Sequence, residues 1–109
     1  MMQARESATG SLELGLRGTA DSRSQPDLKN FIANVQEHAG RSNSRRVTVD
    51  LRELEFMNSS CFKVFVSWIL ELQRVEYGLR IRGAAAQHWQ KRSLGALEAL
   101  GKGRVEVSY

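Results

Sequence analysis

The stretch VTVDLRELEFMNSSCFKVFV, residues 47–66, changes its hydrophobic period at two adjacent serines. Ahead of the serines, apolar and polar residues alternate over residues 47–51, which predicts a strand with one buried face. Beyond them, apolar residues recur every three or four positions over residues 62–72, which predicts a helix. The strand and the helix therefore meet at Ser59 and Ser60.

The sequence before this junction predicts one strand and one helix. Residues 11–17, SLELGLR, alternate leucines with polar or small neighbours, as a strand with one buried face does. The only proline, Pro26, suits the first turn of a helix because its missing N–H costs nothing there. An apolar stripe follows, and Gly40 is predicted to end this helix. The stripe contains Leu28, Phe31, Ile32 and Val35.

The sequence after the junction predicts two more strands and one more helix. The second helix is expected to run from Ser60 to about Tyr77 and to end at Gly78. LRIRG, residues 79–83, and RVEV, residues 104–107, read as strands. Between them a helix closed by Gly101 is predicted. This helix is marked by a stripe of Trp89, Ser93, Ala96, Leu97 and Leu100.

This alternation of strands and helices predicts an α/β fold. With 109 residues the chain suits a single domain. Short connections favour parallel pairing wherever a helix crosses between strands. One additional, weakly signalled strand is expected within residues 2–8. We therefore expect a four- to five-stranded mixed sheet with helices packed against it, spanning residues 1–109.

Composition and charge exclude several classes of protein. The net charge of +4 is spread along the chain, and the densest basic group, at Arg41, Arg45 and Arg46, reads as a solvated loop before a strand. Without a basic face or interleaved aromatics, nucleic-acid binding is not expected. No apolar run is long enough for a membrane helix, and no secretory signal is seen. With a single cysteine, the prediction is a soluble, cytoplasmic protein.

The sequence contains no recognisable catalytic or metal-binding set. The only histidines, His38 and His88, lie near the ends of different predicted elements, so with Cys61 they do not form a convincing zinc site or a nucleophile–base pair. Asp21 and Asp50 are isolated and are assigned turn or surface roles. We therefore expect no enzyme activity, no metal and no cofactor.

The junction resembles the STAS family, the fold of bacterial anti-sigma-factor antagonists and of the cytoplasmic tails of sulfate transporters. Members typically carry DLSxLxFhDSSG, where h is apolar, and this chain has DLRELEFMNSSC in matching order. The resemblance spans roughly residues 11–107 and is strongest over residues 47–101. Asn58 replaces the usual aspartate, and Cys61 replaces the usual glycine.

The resemblance implies a partner switch. In such antagonists the first serine of the pair is phosphorylated by a kinase that is itself the anti-sigma factor, and phosphorylation releases the antagonist. By position that serine is Ser59, and Ser60 is the weaker candidate. A serine kinase resembling an anti-sigma factor, and a phosphatase that resets the switch, are the implied partners.

The residue types at the junction also fit the physics of a helix start. Asn58 is a good N-cap, and a phosphate on Ser59 would meet the positive end of the helix dipole. An ordinary cap without any switch has the same pattern, and Ser60 reads as a helix-start residue. Lys63 follows Ser59 by one turn, and we hypothesise that it pairs with a phosphate on Ser59.

Apolar residues in excess of one helix face indicate a contact surface on the second helix. The predicted partner-binding residues are Asn58, Ser59, Phe62, Lys63, Val66 and Trp68, with Trp68 expected to be half-exposed. Two alternatives stay open: a STAS scaffold subunit of a signalling or transporter complex that is not phosphorylated, and a thiol-dependent or small-ligand-binding protein centred on Cys61.

Overall fold

A computed structural model describes residues 2–6, 12–42, 46–74 and 77–109. The chain alternates five strands with three α-helices and a single 3₁₀ turn in these ranges. The elements are β1 (Met2–Glu6), β2 (Leu12–Ala20), α1 (Gln25–Ser42), β3 (Arg46–Met57), α2 (Ser59–Glu71), the 3₁₀ turn Leu72–Arg74, β4 (Gly78–Arg82), α3 (His88–Leu100) and β5 (Val105–Ser108).

The described strands form one sheet in the order β1-β2-β3-β4-β5. β2, β3, β4 and β5 are parallel to one another, as expected where a helix connects each strand to the next. β1 is antiparallel to β2. The predicted α/β fold is therefore confirmed. The mixed character expected of the sheet is confined to β1, because the other four strands are all parallel.

The helices form a layer in which α2 lies in the middle, since α2 contacts both α1 and α3. The core lies between this layer and the sheet. Alternate side chains of the strands enter it, including Leu14, Val49 and Ile81, each at most 2% exposed. α2 contributes five buried residues, because a central helix is covered by the sheet and by two neighbouring helices. These are Cys61, Val64, Phe65, Trp68 and Ile69.

Several element ends differ from those predicted. Gly40 does not end α1, which continues to Ser42. Strand β3 reaches Met57 because β2 pairs with it as far as Ala20. The prediction for the end of the second helix was wrong. Helix α2 stops at Glu71, and a 3₁₀ turn follows it. Gly78 opens β4 instead of ending a helix. Residues 75 and 76, also predicted helical, lie outside the described residues.

Helix α3 ends at Gly101 as predicted, but a different face points inward. Its fully buried residues are Gln90, Leu94 and Leu97, and Ala96 is exposed. Trp89 packs against the core while half-buried. The buried face of α3 is thus rotated by about one residue from the predicted stripe. The sequence pattern missed this rotation because the buried residue at position 90 is a polar glutamine.

Some sequence predictions fall partly outside the described residues. The basic group before β3 includes Arg45, and the first predicted strand includes Ser11, both outside them. The extra strand predicted within residues 2–8 is β1, and residues 7 and 8 lie outside. In the described part of the chain, no helix combines the length and the apolar character that a membrane span requires.

Candidate functional site

The β3–α2 junction is fastened by hydrogen bonds on both sides of Asn58. The Asn58 backbone N–H donates to the Ala20 carbonyl at 2.9 Å, which continues the pairing of β3 with β2. The Asn58 side-chain oxygen accepts from the Cys61 backbone N–H at 2.9 Å. Asn58 is therefore the N-cap of α2, as the sequence predicted, and the helix start is anchored to the end of β2.

Cys61 fills the space behind the first turn of α2. It is 0% exposed, and its thiol donates to the Asp21 carbonyl at 3.2 Å. Burial chiefly, and the negative charge of Asp21 secondarily, raise the pKa of the Cys61 thiol. Both effects disfavour the thiolate, which is the reactive form. Cys61 therefore has the environment of a structural cysteine.

The two serines are the exposed residues of this junction. Ser59 and Ser60 open α2, and both side chains are exposed. The first turn of α2 contains no acidic residue, and its backbone N–H groups give it a partial positive charge. Lys63, also exposed, follows one turn after Ser59. The surface around Ser59 is thus accessible to another protein and suited to an anion.

The two isolated aspartates have the structural roles expected of them. Asp21 accepts hydrogen bonds from the backbone N–H groups of Arg23 and Ser24 at 3.0 and 3.2 Å, a local turn before α1. Desolvation raises the pKa of Asp21, but the hydrogen bonds from Arg23 and Ser24 outweigh it, so the net direction is down. Asp50 pairs with Arg52 at 2.8 Å, and this contact lowers the pKa of Asp50.

Trp68 was wrongly predicted to be half-exposed. It is 2% exposed, and its indole N–H donates to the Tyr77 hydroxyl at 2.8 Å. Its ring lies 6.0 Å from that of Phe65. Trp68 therefore joins the end of α2 to the segment before β4, and it does not present a surface to a partner.

Two exposed apolar residues, Leu70 and Phe56, lie near the predicted partner-binding residues in sequence. The prediction did not include them. Phe62 and Val66 are half-buried at the edge of the core. Leu70 is 52% exposed, and it continues the three- and four-residue spacing from Ser59 through Lys63 and Val66. Phe56, just before the junction, is 51% exposed. The sequence signal for Leu70 is the recurrence of apolar residues every three or four positions over residues 62–72.

A groove of about 590 Å³ lies between α1 and α2 and is lined by both helices. Ser60, Lys63 and Ser67 line it from α2, and Lys29 and Ile32 line it from α1. Ser59 is not among the lining residues. The paired serines therefore differ: Ser60 borders the groove, and Ser59 begins the row that leads to Leu70.

The described residues contain no cluster of metal-binding side chains. Over residues 2–6, 12–42, 46–74 and 77–109, no three His, Cys, Asp or Glu side chains lie together in a way that could hold a metal ion. His38 lies on α1 and His88 begins α3, and both are exposed.

Comparison with known proteins assigns the chain to a family. The family model described as "Mlab, STAS domain" matches residues 3–102. The chain belongs to the STAS domain family. No significant match was found among curated proteins.

Solved structures share the fold of this STAS domain at low sequence identity. An anti-sigma factor antagonist from Mycobacterium paratuberculosis is 16% identical with a TM-score of 0.70, over 97% of this chain and 86% of the other. The unphosphorylated form of the antagonist SpoIIAA is 15% identical with a TM-score of 0.69, over 100% of this chain and 89% of the other. The phosphorylated form of SpoIIAA from Bacillus is 15% identical with a TM-score of 0.68, over 100% and 92%.

The burial of Cys61 predicts an unreactive thiol. Near neutral pH, we expect iodoacetamide to label Cys61 in the folded STAS domain at least about a hundredfold more slowly than in the denatured chain. Labelling is followed by intact mass. Equal rates in the two states would contradict the buried position and would favour a thiol-dependent function.

The raised pKa of Cys61 also predicts loss of stability at alkaline pH. A group whose pKa is higher in the folded state contributes its full stabilisation below the unfolded value of about 8.5. This stabilisation is lost as pH rises through the folded value. The free energy of unfolding should therefore fall above this pH more steeply in wild type than in Cys61→Ala. Burial raises the pKa of Tyr77 in the same direction, so the difference between the two proteins is the informative quantity.

Proposed function

We propose that this STAS domain is a non-enzymatic protein-interaction switch that resembles an anti-sigma-factor antagonist, regulated when a partner serine kinase phosphorylates Ser59. The observation that carries the proposal is the exposed Ser59 hydroxyl at the start of a capped helix. A kinase needs an accessible hydroxyl, and a partner needs a surface beside it that can sense the added charge.

The helix start can carry a phosphate without loss of the fold. Asn58 caps α2 through a neutral amide, so the cap does not repel an anion. A phosphate adds about −1.5 to −2 charge, which the helix N-terminus and Lys63 would partly balance. SpoIIAA, which shares this fold, has been solved in both unphosphorylated and phosphorylated forms, with similar likeness to this chain.

The mechanism we propose is a change of charge at the edge of an apolar docking surface. Phe62, Val66 and Leu70 follow Ser59 along α2, and Phe56 precedes it in β3; Phe56 and Leu70 are exposed, and the other two are half-buried. A partner that covers this surface would have to bury the phosphate of Ser59, and desolvating a dianion is costly. Phosphorylation would therefore favour release, and a phosphatase would restore binding.

Phosphorylation of the paired serines can be tested with single variants. Serine kinases encoded beside the gene are incubated with wild type, Ser59→Ala and Ser60→Ala, and each product is weighed as the intact protein. We expect wild type and Ser60→Ala to gain one phosphate, whereas Ser59→Ala gains none. Retention of the phosphate in Ser59→Ala would reject Ser59 as the site.

Binding of the same kinase separates a switch from a scaffold. Ser59→Glu is expected to weaken the complex at least about tenfold relative to Ser59→Ala, because it adds a negative charge at the docking surface. If Lys63 partly balances that charge, Lys63→Ala should enlarge the difference. Equal affinities for Ser59→Ala and Ser59→Glu would favour the scaffold that is not phosphorylated.

A further inference from the structure

The α1–α2 groove has two chemically different ends. Because α1 and α2 each connect parallel strands, they run side by side in the same direction. Lys29 and Lys63 each lie four residues after the first residue of their helix, so both line the same end of the groove. Glu71 lines the opposite end, about 12 Å further along α2 at 1.5 Å per residue.

Hydroxyl groups accompany the two lysines. Ser22, just before α1, and Ser60, in the first turn of α2, line this end and are exposed. The start of α2 adds positive potential that no acidic residue of its first turn reduces. Asp27, in the first turn of α1, is not among the lining residues. Two lysines and two serines therefore line one end of the groove.

The middle of the groove is lined mainly by apolar residues, together with Ser67. Ile32 and Ala33 line it from α1, and Val64 and Trp68 line it from α2. Trp68 is 2% exposed and its indole N–H is bonded to Tyr77, so it offers a ligand no hydrogen bond. A ligand that extends from the lysines towards Glu71 would thus pass over mainly apolar residues and the Ser67 hydroxyl.

We propose that the α1–α2 groove binds a small amphiphile with a phosphate-monoester head on Lys29 and Lys63 and a short apolar chain along Ile32 and Val64. Two lysines balance the charge of the dianion, and charge-assisted hydrogen bonds orient it. Glu71 sets the direction, because it repels the head from the far end. The volume of about 590 Å³ lies within the range of small-molecule sites.

Octyl phosphate is the probe that tests this site, by titration followed in ¹H–¹⁵N NMR spectra. We expect saturable shifts of backbone amides in residues 29–33 and 60–67. The double variant Lys29→Gln, Lys63→Gln should weaken binding at least about tenfold, because both charged contacts are lost. The matched variant Lys91→Gln, Lys102→Gln removes the same charge from exposed positions of α3 and the following turn, and it should bind as wild type does.

Each other outcome overturns a stated part of the site. Equal binding of inorganic phosphate would reject the apolar chain, and equal binding of octyl glucoside would reject the anionic head. Absence of saturable binding, or unchanged binding in the Lys29, Lys63 variant, would reject the site itself. Ser59→Ala should bind octyl phosphate normally, since Ser59 does not line the groove. The result is therefore independent of the proposed phosphorylation of Ser59.

Discussion

Replacing Trp68 with alanine is expected to lower the free energy of unfolding by about 3–5 kcal/mol, the usual cost of removing a large buried aromatic side chain. Trp68 is 2% exposed, and the change would also leave the buried Tyr77 hydroxyl without its indole donor. Since small domains have total stabilities of about 5–15 kcal/mol, a loss of this size would be evident in chemical denaturation followed by circular dichroism.

Leu70→Ala is the matched control on the same helix. Leu70 is 52% exposed, so its truncation should change the free energy of unfolding by no more than about 0.5–1 kcal/mol. In a partner-binding measurement the order should reverse, because Leu70 lies on the proposed docking surface. If Trp68→Ala proved as mild as Leu70→Ala, Trp68 would have to lie at the surface, and the packing of α2 described here would be wrong.

The hydrogen bond between Trp68 and Tyr77 can be measured separately from the volume of the ring. Trp68→Phe, Tyr77→Phe and the double variant form a cycle in which each single change removes one partner of this hydrogen bond and leaves the other in place. We expect the double variant to be less destabilised than the sum of the singles by about 1 kcal/mol. Strict additivity would show that the 2.8 Å contact does not contribute to stability.

The second large effect is expected at Gln90, whose side chain is 0% exposed. Its amide nitrogen donates to the Leu51 and Leu54 carbonyls at 2.7 and 3.1 Å, and its oxygen accepts from the Ala84 N–H at 2.8 Å. The last described β3–β4 pair is Asp50 with Arg82, yet β3 continues to Met57. The Gln90 side chain therefore forms hydrogen bonds with the backbone of β3 beyond the point where β4 has ended.

Gln90→Met keeps the length of the side chain but removes both polar ends. Two carbonyls and one N–H would lose this partner inside the protein, at about 1–3 kcal/mol for each group left unsatisfied. We expect a total loss in the free energy of unfolding on the order of 3–5 kcal/mol, measured by denaturant titration.

Lys91→Met, next to Gln90 and exposed, is the control for the introduction of methionine into α3. It should leave stability within about 0.5 kcal/mol of wild type. Equal stability of Gln90→Met and Lys91→Met would mean that other groups, such as water, satisfy Leu51, Leu54 and Ala84 when the amide is absent.

Local sequence determined the order of the elements and the start of α2. The alternation of periods two and 3.6 depends only on neighbouring residues, and it predicted β2, α1, β3, α2, β4, α3 and β5 in the right order. Asn58 could be recognised as an N-cap because its hydrogen bond to Cys61 spans only three residues. The exposure of Ser59 follows from the same local geometry.

Contacts between distant segments decided the rest. Cys61 meets Asp21, 40 positions earlier, and Gln90 meets Leu51, 39 positions earlier. Trp68 is buried because Tyr77 and the neighbouring helices enclose it, whereas periodicity showed only that α2 had more apolar residues than one face could hide. A period reports which residues share a face, but tertiary packing sets how wide the buried face is and which polar side chain can be satisfied within it.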